Sequence, residues 1–192
     1  WFVRARDRRR FILCRGALRS ILGVLTGLPP ERVAFRFGPG GKPAIAWPED
    51  SSSPANLSFN VTHSDDLALI AVARDLELGV DLERMRPISQ ASRIVESYFS
   101  PVEHEEFLRL DEPDRQVAFI RAWTRKEAVL KAKGVGLAGL ASEHETLFGT
   151  RPLPDRFTPA LPQANIPEWS LWEAAPRDGY VAALALPDGG KR

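Results

Sequence analysis

From Arg6 to Gly27 the chain reads RDRRRFILCRGALRSILGVLTG, with apolar residues at Phe11, Leu18, Ile21, Leu22 and Leu25. That spacing predicts a helix with one apolar stripe, stopped by Gly27-Leu28-Pro29-Pro30. The next stretch, RVAFRFGPGGKPAIAW, predicts a strand, a glycine-rich turn and a second extended segment. Ser51 to Pro54 forms a polar loop too short to separate domains. LSFNVTH, LALIAVA and LELGVDLER are then three strand candidates. Ser100-Pro101-Val102-Glu103 has the spacing of a capping box with proline at the first helical position, so a helix runs from there towards Leu110. A longer helix is expected from about Asp114 to Lys133, ended by Gly134. Beyond a proline-rich stretch from Arg151 to Pro167, EWSLWEA and GYVAALAL predict a hairpin. DLALIAVA and GYVAALAL echo one another, as a repeat of two α+β lobes would require, or as any two buried strands would.

Composition narrows the picture. With 192 residues, 44% of them hydrophobic, the chain can bury a sizeable core in one domain or in two small lobes. A net charge of +1 gives no overall field favouring nucleic acid or membrane. The first 19 residues nevertheless carry arginines at 4, 6, 8, 9, 10, 15 and 19 against the single acid Asp7. Cys14 is the only cysteine, which excludes an internal disulfide and fits a reducing compartment. The longest apolar run, LALIAVA, is too short to span a bilayer, and no signal peptide pattern is visible. A cytoplasmic location is therefore expected, although the chain opens at Trp1 and leaves room for an upstream segment.

Candidate chemistry lies in four stretches. In GVDLER, strand alternation puts Asp81 and Glu83 on one face and Val80 and Leu82 on the other. Two carboxylates side by side repel unless a cation lies between them, and Mg²⁺ accepts such oxygen ligands; a solvent-facing edge strand is the ordinary alternative for an isolated D-x-E. FNVTHSDD places His63 at a strand end, as a structural hydrogen-bonder or a phosphate contact. No G-x-S-x-G surrounds Ser64, and no metal spacing links His63, His104 and His144. RFGPGGKP lacks the P-loop pattern, yet Arg36 and Lys42 lie close enough in sequence to share an anion. In WTRKEAVLKAKGVGL, Glu127 and Lys131 share a helix face while Lys126 lies on another flank; alone they read as an exposed i,i+4 pair.

Taken in order, GGKP, FNVTHS, GVDLER and WTRKEAVLKAKGVGL resemble the motifs of the Sfp-type 4′-phosphopantetheinyl transferases, from about Phe2 to Leu137. The resemblance implies an α+β fold of two similar lobes, 1–84 and 85–192, related by a pseudo-twofold axis, with coenzyme A in the cleft between them. It implies Mg²⁺-dependent transfer of phosphopantetheine to a serine of an acyl or peptidyl carrier protein, by a monomer that engages neither nucleic acid nor membrane. By residue, Asp81, Glu83 and Glu127 match the metal ligands, with Glu127 also the base. Lys131 and His63 match phosphate contacts, and Gly41, Lys42, Pro43 and Thr62 match positions lining adenine and ribose phosphate. Arg36 and Lys126 are further coenzyme A candidates, and Asp81, His63, Glu127 and Lys131 form the expected catalytic set. Thr62 stands where serine is common and keeps the hydroxyl.

Two rivals remain at this level. An arginine-rich first helix would suit a nucleic-acid-binding module with steep salt dependence, although its arginines are not matched by stacking aromatics in an RNA-binding pattern and the helix also carries an apolar face. A relative that binds coenzyme A without transfer is the other, opposed by the presence of Asp81, Glu127 and Lys131 together.

Overall fold

The computed structural model describes residues 5–47, 56–136, 164–166 and 169–187. Helix α1 (Ala5–Thr26) opens the chain, followed by a 3₁₀ turn (Pro30–Arg32) and the hairpin β1 (Ala34–Phe37) and β2 (Pro43–Ala46). A second antiparallel hairpin joins β3 (Leu57–Ser64) to β4 (Leu67–Arg74). Strand β5 (Gly79–Arg84) leads into α2 (Ala91–Tyr98), α3 (Pro101–Arg109) and α4 (Asp114–Lys133). Strands β6 (Ala164–Ile166), β7 (Trp169–Ala174) and β8 (Tyr180–Pro187) complete an antiparallel sheet in the order β5-β8-β7-β6. The fold is α+β, as expected.

The apolar stripe of α1 is narrower than its sequence suggests. Leu18 and Leu22 are buried against Val33, Ile45, Leu57 and Phe59, whereas Phe11, Ile21 and Leu25 are 44%, 40% and 41% exposed. A helix packed on two short hairpins can bury only the residues aligned i, i+4 on its closest face.

Helix α4 is the central element of the second half. Ala128, Val129 and Ala132 pack on Trp169, Leu171, Ala183 and Ala185 of the sheet. Nearer its start, Phe119, Ile120 and Ala122 meet Val95 of α2 and Phe107 of α3. The capping box at Ser100 is formed as expected, and Gly134 ends α4 with φ 69°. Gly79 lets β5 cross α4 at backbone distance: a Cβ there would lie 2.0 Å from the Ala128 carbonyl oxygen. Strand β5, expected to close the first lobe, hydrogen-bonds to β8 in the sheet of the second half.

Sequence periodicity did not indicate α2 or β6. The Ser51–Pro54 loop, Leu137 at the end of the GVGL stretch and the proline-rich segment up to 163 lie outside the described residues, as do Trp1 to Arg4.

Candidate active site

Between β3 and β5 no backbone ladder forms; side chains join them instead. Asn60, Thr62 and Ser64, alternate residues of β3, face β5. Asn60 Oδ1 accepts the Val80 N–H at 2.9 Å, and the Thr62 hydroxyl donates to Asp81 Oδ1 at 3.1 Å. Ser64 donates to Glu83 Oε2 at 2.9 Å and accepts the Arg84 N–H at 3.1 Å. The free edge of the four-stranded sheet is thereby closed by a polar seam, and Asp81 is 4% exposed rather than lying on a solvated edge.

Helix α4 brings its own charges to this seam. Lys131 Nζ donates to Asp81 Oδ1 at 2.5 Å and to the Thr62 hydroxyl at 3.2 Å. Glu127, one turn earlier, is half-buried, and its carboxyl is pushed above the usual range by burial and by the charges of Asp81 and Glu83, with Lys131 opposing. Burial likewise raises Glu83, helped by Asp81 and opposed by Ser64. Burial also raises Asp81 despite Lys131 and Thr62. Desolvation wins in all three cases because one lysine cannot offset the cost of charging three crowded carboxylates. Asp81 Oδ2 is buried with no hydrogen-bond partner.

An all-carboxylate oxygen set with an orphaned buried oxygen fits a hard divalent cation such as Mg²⁺. Among the described residues no group of three or more His, Cys, Asp or Glu side chains is already gathered to hold a metal ion. Lys131 and Ser64 occupy an oxygen each of Asp81 and Glu83.

The other expected residues lie around this cluster. A cavity of about 220 Å³ runs from Gly41, Lys42 and Pro43 to Glu127 and Lys131. A second cavity, about 290 Å³, shares Gly41, Pro43, Asn60 and Val61 with it and adds His63, Arg15, Cys14 and Phe37. His63 is exposed and points away from the seam, as the alternation of β3 requires. Arg36 is exposed on the wall of a larger hollow of about 550 Å³ on the far side of Lys42.

Two of the residues expected at coenzyme A make other bonds within the fold. The Lys42 ammonium donates to Glu77 Oε2 at 2.6 Å, to the Leu78 carbonyl at 3.0 Å and to the Ala132 carbonyl at 2.9 Å. All three of its N–H groups are used, so it clips the glycine-rich turn to the start of β5 and the end of α4. The same clip is tight in backbone: Gly40 lies so close to Gly134 that a Cβ would sit 1.8 Å from the Gly134 carbonyl oxygen. Lys126 is 5% exposed behind the cleft, donating to Glu103 Oε2 at 3.0 Å and the Tyr98 carbonyl at 3.1 Å, over the Phe99 ring. The structure does not bring it to the carboxylates, because one residue along a helix turns the side chain by about 100°.

Sequence reading gave Glu103 its capping role but missed the ion pairs that anchor α4. Glu103 serves both the α3 capping box and Lys126. Glu173 of β7 binds Arg121 and Arg125. Together they fix the rotation of α4, and so the direction of Glu127 and Lys131. The alternating Asn60, Thr62 and Ser64 were the one legible signal, as polar residues repeating at strand period. Four arginines of the basic start are engaged within the fold: Arg6 and Arg10 bind Asp66, while Arg15 and Arg19 lie over the Phe35 ring. Among the described residues no helix is long and apolar enough to cross a membrane.

Comparison with known proteins bears on the family of the chain. Residues 77–185 match the 4′-phosphopantetheinyl transferase superfamily, and residues 1–75 match the family of 4′-phosphopantetheinyl transferase N-terminal regions. The chain is 40% identical to the 4′-phosphopantetheinyl transferase HetI of Nostoc sp. over 93% of its own length and 71% of that protein. It is 32% identical to the 4′-phosphopantetheinyl transferase psf-1 of Bacillus pumilus over 82% of its length and 66% of the relative. It is 28% identical to the human L-aminoadipate-semialdehyde dehydrogenase-phosphopantetheinyl transferase over 99% and 65%. The chain thus spans roughly two thirds of the length of these relatives, and on these matches it belongs to the 4′-phosphopantetheinyl transferase superfamily.

Proposed function

We propose that this protein transfers 4′-phosphopantetheine from coenzyme A to a serine hydroxyl of an acyl or peptidyl carrier protein, with Mg²⁺ as cofactor. The observation that carries the reading is the buried carboxylate of Asp81, whose Oδ1 is held by Lys131 and Thr62 while Oδ2 is unpartnered. Such a site is short of positive charge and matches a cation brought in with a pyrophosphate.

In this reading Asp81, Glu83 and Glu127 hold Mg²⁺, which supplies positive charge against the pyrophosphate of coenzyme A. Lys131 then adds a donor beside the transferring phosphorus, since phosphoryl transfer depends mainly on positioning and charge stabilisation. Glu127 takes the proton of the acceptor serine, directly or through a water. The serine oxygen forms a bond to the phosphorus that bears pantetheine. The bond from that phosphorus to the bridging oxygen breaks, and adenosine 3′,5′-bisphosphate leaves. The adenosine end lies along Gly41 and Pro43 towards His63, while Thr62 is sealed in the seam and Arg36 lines the other hollow, off that path. The two halves, 1–84 and 85–192, act as one unit, a monomer in the cytoplasm.

The test is to incubate the protein with coenzyme A, Mg²⁺ and apo carrier proteins and to weigh the carriers. Gain of one phosphopantetheine mass in the parent, lost in Asp81→Asn, is expected; carriers of unchanged mass would overturn the reading.

A further inference from the structure

We infer that Ser64 is a positioning residue that holds Glu83 as a metal ligand, so that the β3 side-chain seam also orients the site. The inference rests on the metal reading above. Ser64 is 8% exposed and lies on the same face of β3 as Thr62. Its hydroxyl does two things: it accepts the Arg84 N–H at 3.1 Å and donates to Glu83 Oε2 at 2.9 Å. The first bond fixes the hydroxyl to the β5 backbone. The second spends its only proton on one oxygen of the carboxylate, leaving the other for a different partner.

Two residues back, Thr62 treats Asp81 in the same way, through Oδ1 at 3.1 Å. The two carboxylates of β5 are thus each held by a hydroxyl from alternate residues of a strand that belongs to a different sheet. A glutamate has one more rotatable bond than an aspartate, so Glu83 loses more orientation without its tether. Groups that fix a ligand from behind typically change metal affinity about 10- to 100-fold when removed.

Mn²⁺ titrated into the protein with coenzyme A but no carrier protein, with free Mn²⁺ read by electron paramagnetic resonance, measures this without turnover. Ser64→Ala is expected to weaken Mn²⁺ binding about tenfold, and Ser64→Thr to stay within about twofold of the parent because it keeps the hydroxyl. Glu83→Gln should weaken binding by at least as much as Ser64→Ala, and adding Ser64→Ala to it should cost nothing further. The inference is overturned if Ser64→Ala binds Mn²⁺ like the parent, or if its loss persists undiminished in the Glu83→Gln background. A Glu83→Gln protein that binds like the parent overturns it as well, without recourse to any Ser64 variant. A parent that takes up no Mn²⁺ overturns the metal reading together with the inference, which separates the two failures.

Discussion

Lys131 Nζ lies 2.5 Å from Oδ1 of Asp81, while Oδ2 of the same carboxylate is buried without a partner. One oxygen is therefore neutralised by the protein and the other is left for something the chain does not supply. Leaving a buried carboxylate half-satisfied costs stability that a purely structural core would have no reason to give up.

The role of Glu127 should be separable from folding, whereas removing Lys131 also takes the ion-pair partner from buried Asp81. Glu127→Gln keeps the size but loses charge and basicity, so single-turnover transfer to an apo carrier protein should slow at least about a hundredfold. Lys131→Ala should slow it too, and the double variant should show less than the sum of the two losses, because both act on one transition state. Melting temperature serves as the folding control. A well-folded Glu127→Gln protein within threefold of the parent would leave Glu127 as an ordinary helix charge.

Lys126 should behave in the opposite way. Lys126→Met keeps the stem over Phe99 but removes the ion-pair partner of buried Glu103, and breaking a buried pair costs about 3–5 kcal/mol. Denaturant unfolding should register that loss while transfer per folded molecule stays near the parent. A stable Lys126→Met protein with lost coenzyme A binding would return Lys126 to the ligand site.

Lys42 and His63 should differ in which ligand they favour. With its three donors committed to Glu77, Leu78 and Ala132, Lys42→Met should weaken coenzyme A and dephospho-coenzyme A equally, through the displaced turn. His63→Ala, in the chamber with Arg15, should weaken coenzyme A more than dephospho-coenzyme A, which lacks the ribose phosphate. Calorimetric affinities for both ligands decide it. Equal losses in His63→Ala would make that histidine structural.

Stability without divalent cation should depend on pH in a definite direction. Asp81, Glu83 and Glu127 are raised above their ordinary values of 3.8, 4.5 and 4.5, so the folded state binds their protons more tightly than the unfolded chain. Their contribution is complete below the ordinary values and is lost as pH rises through the raised ones. The three together therefore make the metal-free protein less stable on going from mildly acidic to neutral pH, and added Mg²⁺ should restore more stability at neutral pH than at acidic pH. Thermal unfolding with and without Mg²⁺ across that range measures both effects. A Mg²⁺ effect independent of pH would remove these carboxylates from the metal site.

The sequence by itself determined the pieces whose causes are local. The helix period of 114–133, the capping box at Ser100 and the positive-φ glycine at 134 were all legible, since spacing and backbone sterics act within a few residues. Strand and helix periods likewise paired Asp81 with Glu83 and Glu127 with Lys131, while joining the two pairs into one site was implied only by the family resemblance. What each charge faces was decided only by tertiary structure. Lys42, Lys126 and Lys131 are alike on paper, yet one clips a turn, one fills a buried pair and one meets Asp81. Their partners are 35, 23 and 50 residues away. The polar seam of β3 depends in the same way on a strand 19 or 20 residues on, lying in another sheet. An ion pair across such distances depends on where two elements pack, and packing is settled by apolar surfaces that the charged residues do not themselves encode.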